Sequence, residues 1–154
     1  MTLPASIAHT IQQTQEWLKE LRDNAGFDDE AEALGVLRVV LHQLRDRLTP
    51  QEAVELGAQL PTLIRGIYYE SWRPSQTPER IRSKQAFLDE ITIKLLPRRA
   101  RAERAVQDVF ALVAHHCDPG EISQVIDQLP RAIKKLWPKS AQTYRQRTGR
   151  DEVA

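Results

Sequence analysis

Four potential metal ligands follow one another in the run His115-His116-Cys117-Asp118. Zinc binds imidazole and thiolate groups, so this run is the first candidate for a metal centre. Consecutive side chains on a helix project about 100° apart, however, and cannot all converge on one ion. Helical metal-binding pairs usually have an i,i+3 or i,i+4 spacing, and no such histidine or cysteine partner lies nearby. We therefore predict no metal site and no cofactor: Cys117 continues an apolar stripe, Asp118 caps a helix, and the histidines end one.

No residue pattern indicates catalysis. A cysteine on an apolar stripe should be an inert thiol, and no serine stands in a Gly-x-Ser-x-Gly elbow. The six glycines form neither a phosphate loop nor a dinucleotide fingerprint. Glu52 and Glu121 are explained by the helix capping boxes that they complete. We predict no catalytic residue, although a deep pocket with convergent polar groups would favour an enzyme.

The aromatic segment Tyr68-Tyr69-Glu70-Ser71-Trp72 is a candidate interaction surface. Tyr68 corresponds to Trp137 in the pattern described below, which predicts a core position for both. Tyr69 and Trp72 have no aromatic counterparts, so they either fill a groove between two units or form a recognition surface. We predict that at least one of them is substantially exposed.

Charge is distributed unevenly along the chain. Residues 1–75 contain seven basic and eleven acidic side chains, whereas residues 76–154 contain fifteen and ten. A candidate basic patch is formed by Arg98, Arg99, Arg101 and Arg104. A solvated helix surface is one interpretation of this patch, and contact with a nucleic-acid backbone is the other. A patch unbroken by acidic side chains would favour nucleic acid.

The spacing of apolar residues predicts helices almost throughout the chain. Two capping boxes, Asp29–Glu32 and Thr49–Glu52, predict helix starts, and Gly26 predicts a helix end. Pro61 lacks the N–H that a continuing helix would need, so we expect a new helix to begin there. No alternating run of β-branched residues predicts a strand. The fold class is therefore all-α.

The chain repeats one pattern at an offset of 69 residues. The matching pairs are Pro50 with Pro119, Glu52 with Glu121, Gln59-Leu60-Pro61 with Gln128-Leu129-Pro130, and Tyr68 with Trp137. Further upstream, Trp17-Leu18 corresponds to Phe87-Leu88 at an offset of 70, which implies one single-residue insertion or deletion. Agreement of caps, prolines and apolar stripes indicates an internal duplication.

This duplication predicts one helical domain over residues 6–138, made of two tandem pseudo-repeats of about four helices each. The repeats cover residues 10–72 and 80–138, with a connector at 73–79. We expect them to pack around a pseudo-twofold axis, because neither repeat is expected to bury its whole apolar surface alone. Residues 139–154 are polar and predict a flexible tail.

Three segments suggest a family: Ala58–Pro61, Ile64–Glu70 with Trp72, and Leu41–Leu48. They resemble the uncharacterised bacterial family called domain of unknown function 2267, and the resemblance covers most of residues 10–138. It implies an all-helical fold in a bacterial cytosolic protein, and it implies no activity and no catalytic residue. Members often have glycine where this chain has Ser71.

Composition bounds the remaining possibilities. A chain of 154 residues with 41% hydrophobic and 28% charged residues has an ordinary globular composition. A lone cysteine, no export signal and no membrane-spanning segment favour a cytoplasmic location. The leading hypothesis is a non-enzymatic scaffold that binds a protein partner or a second copy of itself. A nucleic-acid-associated accessory protein is the alternative, and an enzyme comes third.

Overall fold

The computed structural model describes residues 2–144, and these residues form helices and no strand. The first half contains α1 (Ala5–Ala25), α2 (Glu30–Arg45), α3 (Pro50–Gly57) and α4 (Thr62–Tyr68). A short 3₁₀ helix at Pro74–Gln76 lies in the connector. The second half contains α5 (Lys84–Leu95), α6 (Ala102–His116), α7 (Pro119–Asp127) and α8 (Arg131–Lys134), and α9 (Lys139–Gln142) follows. The predicted all-α class is confirmed.

Local signals in the sequence determine where these helices begin and end. The Asp29 side chain accepts a hydrogen bond from the backbone N–H of Glu32 at 2.8 Å, so it caps α2 as predicted. Gly26 ends α1 in the left-handed conformation with φ 75°, which costs glycine little because it has no Cβ. Pro61 and Pro130 each stand immediately before a new helix, which confirms the predicted restart.

The turn after α4 is held by a buried arginine. Arg45 is 3% exposed, and its Nη1 donates to the carbonyl oxygens of Tyr68 and Glu70 at 2.7 Å each. These bonds satisfy carbonyl groups that the end of a short helix leaves free. Ser71 follows with φ 59°, in the left-handed region that favours glycine.

The helices of the two halves share one core. Helix α1 packs against α2 and α6, α2 packs also against α5 and α6, and α3 packs against α7. Tyr68 is fully buried and Trp137 is 2% exposed, so both predicted core positions are confirmed. Trp137 stacks on Phe110 with ring centres 4.1 Å apart, and the Tyr68 hydroxyl donates to the carbonyl of Ala53 at 2.7 Å.

Two features at the chain ends differ from a simple reading of the sequence. The apolar stripe of α1 begins at Ile7, but burial begins only at Thr14. Helix α9 occupies the start of the predicted flexible tail and packs against α7, while residues 145–154 lie outside the described part of the chain. The helix order of the halves is the one expected from duplication, and the pseudo-twofold relation stays a prediction. Among residues 2–144, no helix has the length and apolar character needed to cross a membrane.

Candidate functional site

Helices α3 and α7 pack against each other, and the N-terminal end of each is capped partly by a glutamine at the C-terminal end of the other. The Thr49 side chain accepts from the Glu52 backbone N–H at 3.3 Å, as a cap should. The backbone N–H of Thr49, however, donates to Oε1 of Gln128 at 3.1 Å. In the same way, the backbone N–H of Asp118 donates to Oε1 of Gln59 at 3.2 Å.

These glutamine contacts correct the predicted role of Glu52 and Glu121. In a complete capping box the glutamate side chain would accept from the cap residue's N–H. Gln128 and Gln59 already take those N–H groups, so the boxes are only half formed. The carboxyl groups turn inward instead: ligand oxygens of Glu52, Glu55 and Glu121 lie within 4.8 Å of one another.

This carboxyl cluster includes a buried side chain and carboxyl oxygens that have no hydrogen-bond partner. Glu52 is 5% exposed, and Oε1 of Glu52 and of Glu121 have no hydrogen-bond partner among the described residues. Burial raises the pKa of Glu52 to about 8, with further increases from the hydrogen-bonded and charged Glu121 and then from Glu55. Every charged group that shifts this pKa is itself a carboxyl, so the cluster retains a proton at neutral pH.

A second cluster joins α1 to the end of α6. Oε1 of Glu20 lies 2.5 Å from Nδ1 of His115, and Oε2 lies 2.5 Å from Nε2 of His116. The His116 ring stacks on Trp17, with centres 4.7 Å apart and planes inclined by 22°. The three side chains, hereafter the Glu20–His cluster, offer ligand atoms within 4.8 Å of one another.

The sequence did not predict this contact, because helical metal-ligand spacings relate only residues three or four apart and Glu20 precedes His115 by 95 residues. The other two members of the run occupy their predicted places. Cys117 is 5% exposed, and burial, followed by the charges of Glu121 and Asp118, raises the pKa of its thiol to about 12. Asp118 caps α7 by accepting from the Glu121 backbone N–H at 3.1 Å.

The predicted interaction residues Tyr69 and Trp72 are both half-buried and packed against the core. Their rings lie 5.3 Å apart, and Tyr69 also packs edge-on against Tyr68 and lies directly over Gly57 of α3. Substantial exposure of at least one of them is therefore not observed. Nε1 of Trp72 is buried without a hydrogen-bond partner among residues 2–144. A role in binding stays a prediction for both.

The four arginines of the predicted basic patch do not form a continuous surface. Arg98 is half-buried, and its guanidinium lies directly over Gly35 of α2. Arg104 is exposed but pairs with Asp108 at 3.1 Å, and Glu103 stands between it and Arg101 in the sequence and pairs with Lys84. Arg99 and Arg101 are exposed. Acidic side chains therefore interrupt the patch, which is not the arrangement that would favour nucleic acid.

The N-terminal stretch of α1 presents apolar side chains to solvent. Ile7 and Ile11 are 46% and 36% exposed and lie on one side of the helix because they are four residues apart. Leu3, which precedes the helix, is 49% exposed. Leu63 of α4 is 44% exposed, and its backbone N–H donates to the Thr10 hydroxyl at 3.0 Å, which places it beside this stretch. We call Leu3, Ile7, Ile11 and Leu63 the N-terminal apolar patch.

Comparison with known proteins places the chain in a family without an assigned activity. The model of the family described as "Uncharacterized conserved protein (DUF2267)" matches residues 14–136. A comparison with curated proteins found no match. The matched range begins at the first buried residue of α1 and ends in the segment before Pro138. Because the match covers most of the chain, the protein belongs to this family of uncharacterised conserved proteins.

Proposed function

We propose that this chain is a non-enzymatic helical interaction protein that pairs with a second copy of itself through the N-terminal apolar patch. The observation that carries this proposal is the exposure of Ile7 and Ile11 on a helix whose other large apolar side chains, Trp17, Leu18 and Leu21, are buried. Exposed apolar groups that are contiguous, rather than scattered singly, mark sites of protein association.

The chemistry of the surrounding surface favours a like partner. Residues 1–15 contain no aspartate, glutamate, lysine or arginine, so the first charged side chain is Glu16. Depletion of charge is characteristic of the centre of protein interfaces. Two copies of such a stretch meet without charge repulsion, and a twofold pairing is self-complementary because the same patch is used on both sides.

Sedimentation analysis of the full chain tests this proposal. Ile7 and Ile11 are about half exposed, so covering each contributes roughly 1 kcal/mol. Each substitution occurs twice in a symmetric pair, and Ile7→Ser with Ile11→Ser should therefore raise the dimer Kd by at least about 100-fold. The melting temperature of the monomer should change little, because neither side chain contributes to the core.

Ile93→Ser with Leu96→Ser provides the matched control. These two side chains are 68% and 64% exposed and lie at the end of α5, far along the chain from the patch. The control should self-associate like the wild type. A wild-type chain that sediments as a monomer up to about 100 µM would refute the proposal, and so would equal loss of association in both double variants.

A further inference from the structure

The Glu20–His cluster has a counterpart in the other half, in which a positively charged side chain pairs with the carboxylate. At the offsets of the duplicated pattern, Glu20 corresponds to Glu90 and His116 corresponds to Arg47. Nη2 of Arg47 lies 2.7 Å from Oε2 of Glu90. The Arg47 guanidinium also lies over the ring of Phe87, 5.6 Å from its centre. Phe87 corresponds to Trp17, on which His116 stacks.

The two places therefore share a carboxylate and an aromatic ring but differ in the positive partner. Arg47 carries a permanent charge, so its carboxylate is always compensated. An imidazole nitrogen can instead bind a metal ion through its lone pair, once the proton that it shares with Glu20 has left. The position before Arg47 holds Asp46, whereas the position before His116 holds a second imidazole, His115. In the second half, two imidazole groups that can act as metal ligands therefore stand where the first half has the permanently charged Arg47.

We propose that Glu20, His115 and His116 bind a divalent transition-metal ion of the Zn²⁺ class. The ion supplies at this site the positive charge that Arg47 supplies in the other half. Two imidazoles and a carboxylate form a donor set that zinc uses, with bonds of about 2.0–2.2 Å and tetrahedral ligand atoms about 3.4 Å apart. The ligand atoms of Glu20, His115 and His116 lie within 4.8 Å of one another, so small side-chain rotations would allow all three to bind one ion.

The site is accessible and incomplete, as a site for an exchangeable ion should be. The His115 side chain is 66% exposed, and those of His116 and Glu20 are 28% and 25% exposed. His116 also lines a groove, whose other polar walls come from Gln13, Gln59, Thr62 and Arg65. Three protein ligands leave the fourth position of a tetrahedral ion for water or for a group of a bound molecule.

Metal titration of the full, untagged chain tests this site independently of the proposed self-association. The apoprotein is titrated with Zn²⁺ against a chromogenic chelator, and Co²⁺ absorption reports the coordination geometry. We expect one equivalent to bind and to raise the melting temperature, because an ion that binds the folded state stabilises it. His115→Ala and Glu20→Gln should each weaken Zn²⁺ binding by more than about tenfold.

Two further variants separate loss of ligands from loss of structure. His116→Arg reproduces the arrangement of Arg47 and Glu90, so it should fold, as judged by its thermal melt, and should no longer bind Zn²⁺. His9→Ala removes an exposed histidine on α1 outside the cluster and should bind like the wild type. The proposal is overturned if the wild type binds Zn²⁺ no more tightly than His115→Ala. It is also overturned if His9→Ala removes the binding, since the cluster would then be an ion pair only.

Discussion

Replacing Glu52 with glutamine tests whether the buried carboxyl between α3 and α7 is protonated in the folded chain. Glutamine has nearly the same shape, and its amide N–H can donate to Glu121 as a protonated carboxyl would. It cannot ionise, so it removes the cost of keeping a proton on Glu52. The variant should therefore be more stable than the wild type at neutral pH.

The magnitude follows from the pKa of Glu52, which folding raises from 4.5 to about 8. Below pH 4.5 the carboxyl is protonated in both states, and its favourable contribution to stability is fully present. Between pH 4.5 and 8 only the folded chain binds the proton, so the free energy of unfolding falls by about 1.4 kcal/mol per pH unit. At pH 7, which is 2.5 units above 4.5, the loss amounts to about 3 kcal/mol.

Urea unfolding at pH 5, 6, 7 and 8 measures this effect as a difference between the two proteins. The difference cancels the titration of histidines, which both proteins share. Glu52→Gln should gain up to about 3 kcal/mol over the wild type at pH 7 and little near pH 4.5. Glu16→Gln is the control, since it removes the same charge from an exposed position on α1 and should show no such pH dependence.

Two results would refute the reasoning about this carboxyl. A Glu52→Gln protein that is less stable than the wild type at pH 7 would mean that ionised Glu52 is stabilised by its surroundings. A difference between the two proteins that stays constant from pH 5 to 8 would mean that Glu52 does not take up a proton on folding.

Three other sets of substitutions test the turn, the aromatic segment and the basic patch. Ser71→Gly should raise the free energy of unfolding by up to about 1 kcal/mol, because glycine has no Cβ and adopts the left-handed conformation without a steric cost. Ser71→Val should lower the free energy of unfolding. Urea melts that show the opposite order of stability would contradict the turn geometry. Tyr69→Ala and Trp72→Ala should each lower the free energy of unfolding by about 2 kcal/mol, less than the 3–5 kcal/mol expected for fully buried aromatics, and sedimentation of the two variants tests whether they also contribute to association. A larger drop in melting temperature with unchanged sedimentation would show that these aromatics belong to the core. We expect no measurable binding of duplex DNA at low salt through the four arginines of the basic patch. If the chain does bind, and the slope of log affinity against log salt concentration falls by about 0.9 for each arginine changed to glutamine, the nucleic-acid hypothesis would be restored.

The sequence by itself determined where the helices lie and which of their faces are apolar. Caps such as Asp29, the glycine end at Gly26 and the restart at Pro61 act within one turn of backbone, so they can be read from neighbouring residues. The core positions of Tyr68 and Trp137 were predictable for a related reason, because an apolar residue repeated at matching places in both halves indicates burial.

Only the tertiary structure decided which distant groups meet. Local spacing assigned Glu52 to a capping box, but Gln128 comes from the other half, takes the cap N–H and leaves the carboxyl to face Glu121. Glu20 reaches His116 only because α1 packs against α6, and no local pattern records a contact between residues 96 positions apart. Periodicity likewise could not separate the buried part of the α1 stripe from its exposed start, since the same spacing continues past the last helix that covers it. Burial and the meeting of distant side chains depend on which segments pack together. The carboxyl cluster and the Glu20–His cluster could therefore be identified only from the tertiary structure.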